Sequence, residues 1–281
     1  MFGRVLLGEI RKLIRKRGLI VLGVIFGLAI LIYALIFNEI VTDESGLTVC
    51  AEDFTSLFYS LVVSVLTIYG IVLAAGLYAE EYKRGTIKFV MLRPVSRTTL
   101  TTAKLLAALL YVTALALGVT LIVFLYGLAR YGSSGSTAVD LVFNGDTPYS
   151  TTLSIKTFGA IGLKLLSVYA FMIVAFAIGT LAKNKTLSVV LTIILQAGIF
   201  STPFMLVDSL AGTEIQKVLF STNADLSGYI GMSASVLDDA GGIFSAIPKG
   251  GNIYLAVGLM AGYLTAALLA TYLVVNKRDV V

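Results

Sequence analysis

The side chains best able to act together lie between Glu80 and Lys104. Two adjacent carboxylates, Glu80 and Glu81, are followed by the cations Lys83, Arg84, Arg93, Arg97 and Lys104, which flank the apolar run Ile87-Lys88-Phe89-Val90-Met91-Leu92. Histidine is absent and Cys50 is the single cysteine, so the usual proton shuttle, a Cys- or His-based metal site and an intrachain disulfide are all excluded. No Gly-x-x-x-x-Gly-Lys-Ser/Thr loop occurs, so ATP hydrolysis is not expected on this chain. No catalytic residue, cofactor or metal is expected, and what remains is the chemistry of docking. Gly85 breaks the preceding helix and Thr86 can cap a new one. Ile87 to Leu92 then make a helix of under two turns that must stop before Pro94, and Ser96 offers the cap for the next helix. So short a helix cannot cover its own Ile87, Phe89, Val90, Met91 and Leu92; it needs a protein groove.

The elements that position this run are long and apolar. The chain has 281 residues, is 58% hydrophobic and only 13% charged, a composition that places it among integral membrane proteins. A bilayer core of about 30 Å needs roughly 20 apolar residues at about 1.5 Å each. Six charge-poor stretches meet that length: Leu19 to Phe37, Phe54 to Ala79, Leu105 to Ala129, Leu165 to Ala182, Thr186 to Val207 and Ile253 to Val275. The fourth is ambiguous at its start, because Lys156 and Lys164 sit on its approach and the helix could begin near Ser154, with Lys164 snorkelling. An all-α protein with six transmembrane helices is the expected fold. The first stretch is read as a retained anchor rather than a cleaved signal, since it has full spanning length and no clean small-x-small site follows it.

Charge position supplies the orientation. Of the 21 Lys and Arg residues, 16 fall in the segment before the first span, the loop from Glu80 to Lys104, the Lys183-Asn184-Lys185 turn and the tail with Lys277 and Arg278. The other three loops hold 12 of the 16 carboxylates, and the loop from Asn38 to Asp53 has five acids and no base. The positive-inside rule makes the basic face cytoplasmic, with both termini inside. The net charge of +5 is thereby explained by topology, and no nucleic-acid partner is expected. Residues 2 to 17 place Phe2, Val5, Leu6, Glu9, Ile10, Leu13 and Ile14 at three- and four-residue spacing, with Arg4, Arg11, Lys12, Arg15 and Lys16 mostly on the other face. This predicts an amphipathic helix in the headgroup layer, in contact with membrane lipid.

The Glu80-Glu81 pair, the Arg84-Gly85-Thr86 step, the Leu92-Arg93-Pro94-Val95-Ser96-Arg97 run and Lys104 together resemble the permease subunits of ABC type-2 transporters, an exporter-like family with six spans. The N-terminal segment looks like that family's elbow helix. The likeness covers the whole chain in topology and about 25 residues in motif. It implies a single transmembrane domain over 1–281, with an interfacial helix at 1–17, a cytoplasmic coupling loop at 80–104 and a long extracytoplasmic loop at 208–252. It further implies pairing with a second permease subunit, identical or paralogous, and with a separate ABC ATP-binding subunit. Carried over residue by residue, Gly85 and Thr86 start the coupling helix and Ile87 to Leu92 form its docking face. Glu80, Glu81, Lys83, Arg84, Arg93 and Arg97 make rim contacts.

Lys164 apart, no span interior carries a charge, which argues against an ion-coupled carrier and suits a machine powered from outside the chain. Ser64, Thr67, Thr192 and Gln196 are expected to bond between helices, and Gly23/Gly27 and Gly258/Gly262 to permit close packing within the protomer. Pro203 should kink or end the fifth helix. The loop at 208–252 is expected to form short outer helices by the same resemblance, and the loop from Arg130 to Thr152, with its Asn144-Gly145-Asp146 turn signal, to form a small hairpin. An intramembrane enzyme lacks the necessary histidine, dyad or buried acid. A non-transporting assembly or sensory subunit is compatible with the same sequence, and no residue selects a substrate.

Overall fold

The computed structural model describes residues 2–15, ten positions between 18 and 36, and residues 51–85, 96–132, 138–141, 149–211, 215–226 and 253–277. Its elements are α1 (Phe2–Ile14), α2 (Ala51–Lys83), α3 (Arg97–Tyr131), β1 (Ala138–Leu141), β2 (Tyr149–Thr152), α4 (Leu153–Ala182), α5 (Lys185–Gln196), α6 (Thr202–Ala211), a 3-10 turn at Ile215–Val218, α7 (Phe220–Asn223) and α8 (Ile253–Lys277). Four of these helices are long and apolar enough to cross a membrane, over Phe54–Lys83, Arg97–Tyr131, Thr157–Ala182 and Tyr254–Lys277. They are the expected second, third, fourth and sixth spans, and the chain is a multi-pass membrane protein. Of the expected first span, Leu19 to Phe37, the described positions are helical and the others lie outside the described residues.

Helix ends follow the local rules. Gly85 takes φ +68° just past α2 and its N–H bonds Tyr82 O at 3.1 Å, a left-handed step that glycine makes without steric cost. Ser96 caps α3, its hydroxyl accepting from Thr99 N–H at 3.2 Å. Asn184 caps α5 by accepting from Thr186 and Leu187 N–H.

The core lies between α2, α3 and α4, where Phe54, Phe58, Leu66, Val112, Met172 and Phe176 are buried. α2 and α4 make the most extensive pairing. They approach closely because Gly179 has no side chain: a Cβ there would lie 2.7 Å from Ala75 O, and one on Gly70 would lie 2.9 Å from Met172 Cγ. Hydroxyl pairs tie α3 to both, with Tyr69 to Tyr111 at 3.3 Å and Tyr78 to Thr101 at 2.8 Å from α2, and Thr113 to Tyr169 on α4. The outward faces are apolar, as Leu117, Leu121 and Leu125 on α3 and Leu269 and Leu273 on α8 illustrate.

Several expectations are corrected. The fifth apolar stretch is two helices, α5 and α6, separated by a turn at residues 197–200 followed by Ser201. Gly198 takes φ +70° in this turn, and Ser201 Oγ donates to Gly198 O at 2.6 Å. Pro203 therefore causes no kink; it sits in the first turn of α6, where its missing N–H has no helical acceptor to lose. Of the two starts expected for the fourth helix, the one near Ser154 is found: α4 begins at Leu153, so Lys164 lies within the helix, in electrostatic reach of Asp225. Thr67 and Thr192 donate within their own helices, to Val63 O and Ser188 O, because a hydroxyl reaches the carbonyl four residues back more easily than a neighbouring helix. Gln196 Oε1 is buried with no hydrogen-bond partner among the described residues. Ser188 makes the interhelical bond instead, to Ala175 O at 2.6 Å. Gly258 and Gly262 have nothing within 4 Å of an added Cβ, so among the described residues they do not serve packing inside the protomer. Gly23 and Gly27 lie outside the described residues.

The hairpin is present, with β1 and β2 antiparallel and Ala138 paired to Thr152. β2 runs straight into α4. In the long loop, the described part from Ile215 to Leu226 packs on α4 and α8. Phe220 stacks edge-on against Phe171 and Tyr263, and Tyr263 OH donates to Val218 O at 2.9 Å.

Candidate functional site

The helix ends flanking residues 86–95 meet in a cluster of charges. Glu81 is in the last turn of α2 and Lys104 in the second turn of α3; Lys104 Nζ donates to Glu81 Oε1 at 2.6 Å, with the lysine side chain 1% exposed. Lys12 of α1 donates to the same oxygen at 2.7 Å. Glu9, one turn earlier on α1, completes a ring at 3.6 Å from Lys104 and 3.8 Å from Lys12. Two carboxylates thus face two ammonium groups, and the ring is neutral where it is driest, which a buried charge requires. The Lys104 ammonium also lies 5.4 Å from the centre of the Tyr78 ring. Burial alone would lower the Lys12 pKa, but the hydrogen bond it donates to Glu81 and the charges of Glu81, Glu9 and Glu80 outweigh it and hold Lys12 above its ordinary 10.5.

A second pair extends the cluster. Lys185, the first residue of α5, donates to Glu80 Oε1 at 2.6 Å. Gly76 leaves room for this contact, since a Cβ there would lie 2.8 Å from the Glu80 oxygen. Lys183, at φ +55° in the α4–α5 turn, places its ammonium 5.2 Å from the centre of the Tyr82 ring. Arg97, opening α3, donates to the carbonyls of Val275 and Asn276 at 3.4 and 3.3 Å, favourable positions for a cation at the end of α8. One layer of polar contacts therefore links α1, α2, α3, α5 and α8.

Of the residues expected at the site, Glu80, Glu81 and Arg97 join this layer. Their side chains are engaged within the chain. Lys83, Arg84 and Gly85 are exposed at the end of α2, and Arg84 N–H bonds Glu80 O at 3.0 Å. Thr86, Ile87, Phe89, Val90, Met91, Leu92 and Arg93 lie outside the described residues.

The expectations omitted Glu9, Lys12 and Lys185 as partners. A signal for them existed: the basic face carries only Glu9, Glu80, Glu81 and Asp279 as acids, and the first three are the ones paired. Among the described residues the layer has no nucleophile beside a base, and no cluster of His, Cys, Asp and Glu that could hold a metal ion. Its ion pairs and hydrogen bonds tie one helix end to another.

The apolar stripe of α1 also faces this assembly. Leu13 is buried, and Leu6 and Ile10 pack on the core beside it, so the stripe expected to enter lipid is turned towards α3.

A family profile described as "Protein of unknown function (DUF2705)" matches residues 20–281. The uncharacterized protein YhcI of Bacillus subtilis (strain 168) is 26% identical over 253 residues, covering 85% of this chain and 72% of that protein. The uncharacterized membrane protein YdbK of the same organism is 27% identical over 128 residues, or 46% of this chain and 48% of that protein.

Proposed function

Given that the chain belongs to the DUF2705 family, we propose that it is the membrane-spanning permease subunit of an ATP-driven transporter of the ABC type-2 kind. In this reading ATP is hydrolysed on a separate subunit, and a second permease copy or paralogue completes the pathway. The basic end of the bundle faces the cytoplasm, residues 86–95 dock in the ATPase, and the direction is export.

The observation that carries the reading is the ionic layer at the base of that segment. A loop that receives mechanical work must be held stiffly at both ends, or the work is lost in bending the connection. Here the segment enters from α2 and leaves into α3, and Glu81 of the first is bonded to Lys104 of the second at 2.6 Å in a buried setting. Glu80 and Arg97 connect the same two ends to α5 and α8. Displacement of the segment would reach α1, α2, α3, α5 and α8 together. This is the role that the family resemblance gives to a coupling helix.

The test is a charge in the apolar run. Val90→Asp should abolish co-purification of the ATPase while membrane insertion and yield stay unchanged. Recovery of the ATPase in normal ratio with the variant would count against the assignment.

A further inference from the structure

We propose that the outward face of α1 is a docking surface for anionic phospholipid headgroups. The face opposite the buried stripe carries Arg4, Arg11 and Arg15, all exposed and spaced seven and four residues apart, which aligns them along one side of the helix. None of the three forms an ion pair among the described residues, unlike Glu9 and Lys12, which close the inner ring. Exposed apolar side chains border the arginines, with Leu7 at 56% and Ile14 at 51%. A line of guanidiniums edged by aliphatic groups matches the boundary between headgroups and acyl chains, and the guanidinium fork suits phosphate oxygens. The surface is continuous with the membrane, because the apolar stretch from Leu19 follows directly. α1 is thus held between two sets of charges: acidic groups of its own chain on one side and lipid phosphates on the other. The inference concerns the face opposite the one expected to meet lipid and does not depend on any ATPase.

The chain contains no tryptophan, so Leu7→Trp creates a single fluorescent reporter on this face. The full-length variant is reconstituted into vesicles containing brominated phosphatidylglycerol or brominated phosphatidylcholine, and quenching is compared at low salt. Each arginine near an acidic surface favours contact by about fivefold, so phosphatidylglycerol should associate about tenfold or more tightly than phosphatidylcholine. The preference should collapse at about 0.5 M salt in the same protein, and in the background Arg4→Gln/Arg11→Gln/Arg15→Gln, but survive replacement of all three by lysine. Equal quenching by the two lipids would overturn the proposal. So would a preference unchanged by the glutamine substitutions, or no quenching by either lipid, which would assign the face to a protein partner.

Discussion

At the scale of single residues, Lys104 is the side chain with most at stake. Its ammonium is out of solvent, and its tolerance of that position depends on Glu81 at 2.6 Å and Glu9 at 3.6 Å. Removing one partner leaves a buried charge short of compensation, whereas removing both charges does not. Glu81→Gln should therefore cost about 2–3 kcal/mol of stability, less than a fully isolated pair because Glu9 remains. Lys104→Met added to Glu81→Gln should recover at least half of that loss, with a coupling energy of about 1–3 kcal/mol from thermal unfolding in detergent. Additive losses would show that the two groups do not act as a pair. Lys12 contributes in a defined pH window. Its pKa is raised on folding, so its contribution is complete below the ordinary value of 10.5 and disappears as pH climbs through the higher folded value. Stability measured from pH 8 upward should fall less steeply above about pH 10.5 in Lys12→Met than in the parent.

At the scale of helices, the governing contact is the crossing of α2 and α4 at Gly179. The atom a side chain would meet is the backbone oxygen of Ala75, which cannot rotate away. Gly179→Val should therefore separate the helices and cost about 1–3 kcal/mol, seen as a lowered melting temperature. Gly159→Ala, where nothing lies within 4 Å, should not lower it. Sequence alone revealed the ends of α2 and α3, because Gly85 and Ser96 act on backbone groups within three residues of themselves. It also revealed the hairpin between α3 and α4 from its turn residues. The division of the fifth apolar stretch into α5 and α6 was hidden, since hydropathy stays high across Gly198 while the helix breaks there. Periodicity disclosed that α1 has an apolar face but was silent on what covers it. The pairings of Glu81 with Lys12 and Lys104 join residues 69 and 23 positions apart, and no local rule links such residues.

At the scale of the whole molecule, the proposed orientation places residues 86–95 in the cytoplasm. With Cys50→Ser removing the only native thiol, Val90→Cys should resist a membrane-impermeant thiol reagent in intact cells and react once the membrane is opened. Labelling in intact cells would invert the topology and with it the functional proposal. The join between β2 and α4 has a separate consequence. Thr152 is the last strand residue and Leu153 the first helical one, so the hairpin joins without an intervening loop onto a 30-residue rod about 45 Å long. The opposite end of the rod turns into α5, whose Lys185 is fastened to Glu80. With that end as pivot, an inclination of about 10° would swing the hairpin by roughly 8 Å over the rod's length. A small rotation at the charged layer is thereby magnified into a stroke at the far surface, and the hairpin is the pointer that would record it.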